Sequence, residues 1–232
     1  MNKRLNTNFV GSIINGGWRR AFVMLCLTAL LLTASCGGSG TATKDFDADD
    51  ETANANVKKG VKPVADAEAA VIETDLGQIV IELYPNIAPQ MVERYKKLVG
   101  EGFYNGTTFH RINPSTGVVQ GGDPNSKDDN PANDGMGSSS YPNVPAEFSD
   151  VPFERGIVGA ARAADLDSAN CQFYITTRRV SQWDGHYTVF GKVIKGMDNA
   201  DIISTAPTRA GSENPDPKIV IKSITLQPRA NF

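Results

Sequence analysis

The chain has 232 residues, 40% of them hydrophobic and 21% charged, enough for one domain with an extension or two small ones. Its 23 Lys and Arg against 26 Asp and Glu give a net charge of −3 with no basic stripe, which argues against nucleic acid, since displacing counterions from phosphates takes clustered Lys and Arg. Two histidines, His110 and His186, without a close Cys/His set fall short of a metal centre, and there is no Gly-x-Ser-x-Gly elbow or phosphate-cradling glycine loop.

Residues 1–35 read as a signal peptide. Lys3, Arg4, Arg19 and Arg20 are its charges, and residues 21–34 form a 14-residue apolar core before small residues and Cys36. A spanning helix needs about 20 residues, so a secretory signal is the better reading, with an uncleaved signal anchor as the alternative. Leu32-Thr33-Ala34-Ser35-Cys36-Gly37 resembles a bacterial lipoprotein processing site. That resemblance implies lipidation at Cys36 and an exported chain anchored to a membrane of the bacterial cell envelope, facing the periplasm or the surface. Ordinary cleavage after Ala34 or Ser35 would instead release a free secreted protein. Removing the leader takes away four of the 23 basic residues and no acidic ones, so the balance moves from −3 to −7. Cys26 leaves with the leader and Cys36 carries lipid, so Cys171 has no partner for an internal disulfide and reads as a small core residue.

Residues 36–70 are rich in Gly, Ser, Thr, Ala, Asp and Lys, with acidic residues at Asp45, Asp47, Asp49, Asp50 and Glu51. Such a composition buries too little to offset ordering entropy, and a flexible tether is expected. The folded domain is expected over 71–228. Apolar runs at 71–74 and 79–84 form a hairpin, and Pro89 opens a helix over 90–99 whose stripe of Met91, Tyr95, Leu98 and Val99 is core packing. Strands follow at 108–112 and 118–120. Alternation puts Phe109 and Arg111 on one face and His110 on the other. Residues 124–145 form a long polar loop. Strands at 156–161, 172–176, 188–193 and 218–226 and a short helix at 197–204 complete the count. The expected fold is mainly β, an eight-stranded antiparallel β-barrel capped by two α-helices, and a monomer.

Phe109-His110-Arg111-Ile112 followed by Gln120-Gly121-Gly122-Asp123-Pro124 resembles the signature of the cyclophilins, peptidyl-prolyl cis-trans isomerases. Two further blocks agree: Asn170-Cys171-Gln172-Phe173-Tyr174-Ile175, with Cys171 at a serine position, and Asp184-Gly185-His186-Tyr187-Thr188-Val189-Phe190-Gly191. The resemblance implies a site on the outer face of the barrel that takes proline-containing polypeptides and needs no cofactor. It implies Arg111 as the catalytic arginine and Gln120 as its glutamine. It further implies that Phe109, Tyr174, Trp183 and Tyr187 surround the proline, while Ala161, Arg162 and Gln172 contact the preceding peptide. Two departures stand out. The segment between Arg111 and Gln120 is one residue longer than the family's, with Gly117 where a phenylalanine wall belongs, and Ala160 replaces a pocket methionine. Loss of an aromatic wall is worth roughly 1 to 3 kcal/mol of transition-state binding, about tenfold or more in rate. The expected function is therefore isomerisation of X-Pro bonds in exported proteins, with a catalytically weak proline-peptide binding module as the alternative.

Overall fold

In the structure, a computed structural model, residues 57–232 are described. The signal peptide, Cys36 and the tether up to residue 56 lie outside the described residues.

The first hairpin joins β1 (Glu68–Thr74) to β2 (Gly77–Leu83) through Asp75 and Leu76. Thr74 Oγ1 closes the turn, donating to the Gly77 carbonyl at 2.8 Å and accepting from the Leu76 N–H at 3.0 Å. Helix α1 (Pro89–Gly100) follows, with Pro89 in the first turn, where its missing N–H is no loss. Its cap comes from far along the chain: the Glu147 carboxylate accepts the N–H groups of Gln90 at 3.2 Å and Met91 at 3.0 Å. An anion at a helix N-terminus satisfies orphan donors and meets the positive end of the dipole. The buried face of α1 is the expected stripe of Met91, Tyr95, Leu98 and Val99, with Val92 added.

The remaining strands are β3 (Arg111–Asn113), β4 (Val118–Gly121), β5 (Ile157–Ala160), β6 (Phe173–Thr176), β7 (Val189–Lys195) and β8 (Ile221–Pro228), with helix α2 (Met197–Ser204) between the last two. All pair antiparallel in one sheet of order β3-β4-β6-β5-β7-β2-β1-β8. The sheet curls, and the segments preceding its edge strands meet at a bridge between Thr108 and Val220. There Phe109 donates to the Ile219 carbonyl at 2.9 Å and Ile221 to the Thr107 carbonyl at 2.7 Å. The architecture is thus a curled half-barrel with two helices, and β3 and β8 form no continuous ladder with each other. Tyr95, Tyr104, Phe109, Phe173 and Phe190 fill the main core, with α1 against β8 and α2 against β2 and β4.

Two expectations need correction. The ordered chain begins before residue 71. Lys58 exchanges backbone bonds with Phe148 (2.9 Å) and Asp150 (3.0 Å), Val64 N–H donates to Asn86 Oδ1 at 2.8 Å, and Asp66 N–H donates to the Leu83 carbonyl at 2.8 Å. Hydrogen bonds hold this stretch where its composition promised no core. The second correction concerns the strand over 108–112, whose ladder to β4 starts only at Arg111. Residues 107–109 turn instead to 219–221, so alternation fails across the junction and Phe109 enters the core together with Ile112. The long polar loop is there, and its own Asp and Asn build it: Asp123 caps a 3₁₀ turn at Pro124–Lys127, and Asn130 caps another at Pro131–Asn133.

Candidate active site

The strand register lays out the site. Arg111 on β3 faces Gln120 on β4, Gln120 faces Tyr174 on β6, and Tyr174 faces Gly159 on β5. Directly paired residues project to the same side of a sheet, so this row carries a cation, an amide and an aromatic ring over four adjacent strands. The row ends in a glycine because the ring needs the space. A Cβ on Gly159 would lie 2.4 Å from the Tyr174 hydroxyl oxygen.

Period-two neighbours extend the surface. Val118, two before Gln120, and Gln172, two before Tyr174, share its side. Arg111 Nη1 donates to Gln120 Oε1 at 3.3 Å, and Gln120 Nε2 donates to Gln172 Oε1 at 3.0 Å. Gln172 Nε2 in turn donates to the carbonyls of Gly135 (3.0 Å) and Gly137 (2.9 Å), so a string of amides ties the guanidinium to the long loop. From the other side of Arg111, the Glu213 carboxylate accepts its Nε–H and also the side-chain N–H of Asn113.

The aromatic floor comes from a second cluster, separate from the main core. Trp183 sits on a 3₁₀ turn with its ring centroid 5.0 Å from Tyr174 and 5.2 Å from Tyr187. Phe153 lies beneath all three at 6.0 to 6.5 Å, fully buried. Asp184 pins this unit by accepting the Phe153 N–H and an Arg179 N–H, each at 2.8 Å. Arg162 lies over the Tyr187 ring at 4.5 Å and donates to the carbonyls of Ala163 (2.9 Å) and His186 (3.3 Å). Burial pushes the Tyr174 and Tyr187 hydroxyls above their ordinary pKa, so the floor is uncharged at neutral pH.

Arg111, Gln120, Ala161, Arg162, Tyr174, Trp183 and Tyr187 line one shallow hollow, together with Val118. Gln172 joins through its bond to Gln120. Phe109, expected in the floor, does not: it is fully buried in the main core, 6.3 Å from the Phe173 ring. Three contributors were not foreseen. Val118 was open to detection by alternation from Gln120, whereas nothing in the sequence around Phe153 or Glu213 marks them. Gly117 is a turn residue with φ of +78°, and a Cβ there would meet the Arg178 side chain at 2.4 Å. Wall contacts in the hollow come from Val118 and Trp183 instead.

His110 precedes Arg111 but is 3% exposed and lies outside the hollow. Burial is the main cause that lowers its pKa from 6.5 to about 4, outweighing the upward pull of Asp123 and the Thr108 backbone. Between those two pH values the unfolded chain binds the proton more readily than the native one. The neutral imidazole's contribution is therefore complete above pH 6.5 and lost as pH falls toward 4, a span worth about 3 kcal/mol. Denaturant midpoints at pH 7 and pH 4.5 test this, with the parent expected to lose clearly more than His110→Gln; equal losses would contradict it. Cys171 is buried, and burial raises its thiol to about 12, so it stays protonated. Among the described residues no group of His, Cys, Asp and Glu could hold a metal ion.

A curled antiparallel sheet thus carries an arginine and a glutamine beside an uncharged aromatic hollow, a surface with a hydrogen-bonding half and an apolar half. Residues 69–226 match the family model for cyclophilin type peptidyl-prolyl cis-trans isomerases. A probable peptidyl-prolyl cis-trans isomerase of Brucella suis is 43% identical over 164 residues, covering 68% of this chain and 83% of the relative. A peptidyl-prolyl cis-trans isomerase of Acinetobacter baylyi is 37% identical, covering 67% and 82%. Among solved structures, a cyclophilin type isomerase of Cryptosporidium parvum, crystallised in the presence of the dipeptide Ala-Pro, matches with a TM-score of 0.62 at 27% identity, covering 68% of this chain and 98% of the other. The chain belongs to the cyclophilin-type peptidyl-prolyl cis-trans isomerase family, and its activity is isomerisation of peptidyl-prolyl bonds.

Proposed function

We propose that the hollow binds an X-Pro segment of an exported polypeptide and that Arg111 stabilises the twisted prolyl amide. The observation that carries this reading is the bonded Arg111–Gln120 pair at the edge of the Tyr174, Trp183 and Tyr187 floor. The uncatalysed barrier of about 20 kcal/mol comes from amide resonance, which is lost as the C–N bond rotates. The prolyl nitrogen then becomes pyramidal and gains a lone pair. A donor that meets it only in that geometry lowers the barrier without tightening the ground state. Arg111 suits the role because a guanidinium stays charged at any working pH and presents its N–H groups in a rigid plane. Gln120 orients it and offers its amide to the peptide carbonyl, while the aromatic floor takes the ring. Ala161, Arg162 and Gln172 contact the residues before proline. The Ala-Pro dipeptide used with the Cryptosporidium relative supports this ligand class. Acceleration of cis/trans exchange in an Ala-Pro peptide tests the reading; a folded chain that leaves the exchange at its uncatalysed rate contradicts it.

The same proposal places the domain, as a monomer, on an envelope membrane through a lipid on Cys36, with the polar, acidic segment that follows it as tether. Support comes from the processing-site pattern around Cys36. Among the described residues no helix is long and apolar enough to cross a membrane. Acyl chains contribute about 0.8 kcal/mol per buried CH₂, so several hold a protein firmly. On expression of the whole chain in a bacterial host, the parent is expected in the detergent phase of a phase partition and Cys36→Ser in the aqueous phase. Equal partition into detergent would contradict lipidation.

A further inference from the structure

We infer that Glu213 is a positioning residue for Arg111, setting the guanidinium before the peptide arrives; the inference rests on the isomerase reading of the hollow. β3 is an edge strand, paired with β4 on one side. Its other side is covered by the chain around Glu213. Ile112 N–H donates to the Glu213 carbonyl at 2.9 Å, and Asn214 Nδ2 donates to the His110 carbonyl at 2.9 Å. With the backbone so registered, the Glu213 carboxylate meets two side chains on one face of the strand, accepting from Arg111 Nε through one oxygen and from Asn113 Nδ2 through the other.

The pair is not an ordinary surface contact. The side chains of Arg111 and Glu213 are 24% and 31% exposed, and the Glu213 loop is itself held by the Arg209 N–H to the Asn214 carbonyl at 3.0 Å and the Asp216 N–H to the Pro207 carbonyl at 2.9 Å. Gln120 takes Nη1 while Glu213 takes Nε. Two acceptors on different nitrogens fix both the position and the plane of a guanidinium, which one acceptor on a long flexible side chain cannot do. Because the donor must meet a lone pair that exists only in the twisted state, loss of that orientation is felt in kcat rather than in substrate binding.

The experiment is steady-state kinetics of the protein on an X-Pro peptide for the parent, Glu213→Ala and Glu213→Gln, read beside the Arg111 Nε–H resonance. Glu213→Ala is expected to lower kcat about tenfold or more with KM changed by less than about twofold, and to move or broaden the Nε–H signal. Glu213→Gln keeps an acceptor and the loop's shape and is expected to recover part of the rate. If Glu213→Ala keeps kcat within about twofold while the Nε–H signal has moved, or if both variants raise KM instead, the positioning role is overturned. If the parent itself gives no acceleration, the isomerase reading fails, and the inference falls with it.

Discussion

Arg111→Ala is expected to lower kcat/KM for an X-Pro peptide by about 10²- to 10³-fold, the range found when a single preorganised donor is removed from a site of developing charge. The loss is expected in kcat, because the proposal assigns ground-state binding to the apolar floor, which this substitution at the edge of the hollow leaves untouched. Arg111→Lys keeps the charge but replaces a planar fork held by Gln120 and Glu213 with a point donor, so it should recover little of the rate. Full recovery by lysine would mean that charge alone suffices and that orientation is immaterial. Retention of kcat/KM within about threefold in the alanine variant would remove Arg111 from the chemistry.

Phe153→Ala is expected to have the largest effect on stability, about 3 to 5 kcal/mol by chemical denaturation, as for other aromatic truncations in packed cores. The ring is fully buried and contacts Tyr174, Trp183 and Tyr187 at once, so its removal leaves a cavity under the whole floor. Activity should fall as well, this time with KM rising, because the proline ring would meet a floor that moves. A loss below about 1 kcal/mol would show that the cluster closes up around the gap and that Phe153 does not set the floor.

The contrast between these two residues shows how much of the site the sequence could disclose. Arg111 and Gln120 stand inside runs that resemble the family signature, so their identity follows from that resemblance, whereas their common face is read from the pairing of β3 with β4. Phe153 lies among Asp150, Val151, Pro152 and Glu154, where no periodicity points inward, and its backbone is placed by contacts from 27 to 31 residues away, its N–H donating to Asp184 and its carbonyl accepting from the Val180 N–H. Glu213 is 102 residues from Arg111, in a loop of Gly, Ser, Asn and Pro, and the hydrogen bonds of that loop to the open side of β3, Ile112 N–H to the Glu213 carbonyl and Asn214 Nδ2 to the His110 carbonyl, bring the two together. Phe109 failed for a related reason: alternation holds only while a strand keeps one partner, and residues 107–109 leave β4 for the 219–221 segment. Among the described residues, eight strands and two helices were legible from apolar runs and breakers, the strand expected over 108–112 being displaced to Arg111–Asn113. The order of residues 57–67 was not, because backbone and amide hydrogen bonds rather than buried side chains hold them.

The most direct test of the central claim is cis/trans exchange of an Ala-Pro peptide, measured by exchange spectroscopy at saturating peptide for the parent and Arg111→Ala side by side. Rapid catalysed exchange is expected with the parent, and with the variant a peptide that still binds but exchanges at close to its uncatalysed rate. A variant that binds and exchanges the peptide as the parent does would contradict it.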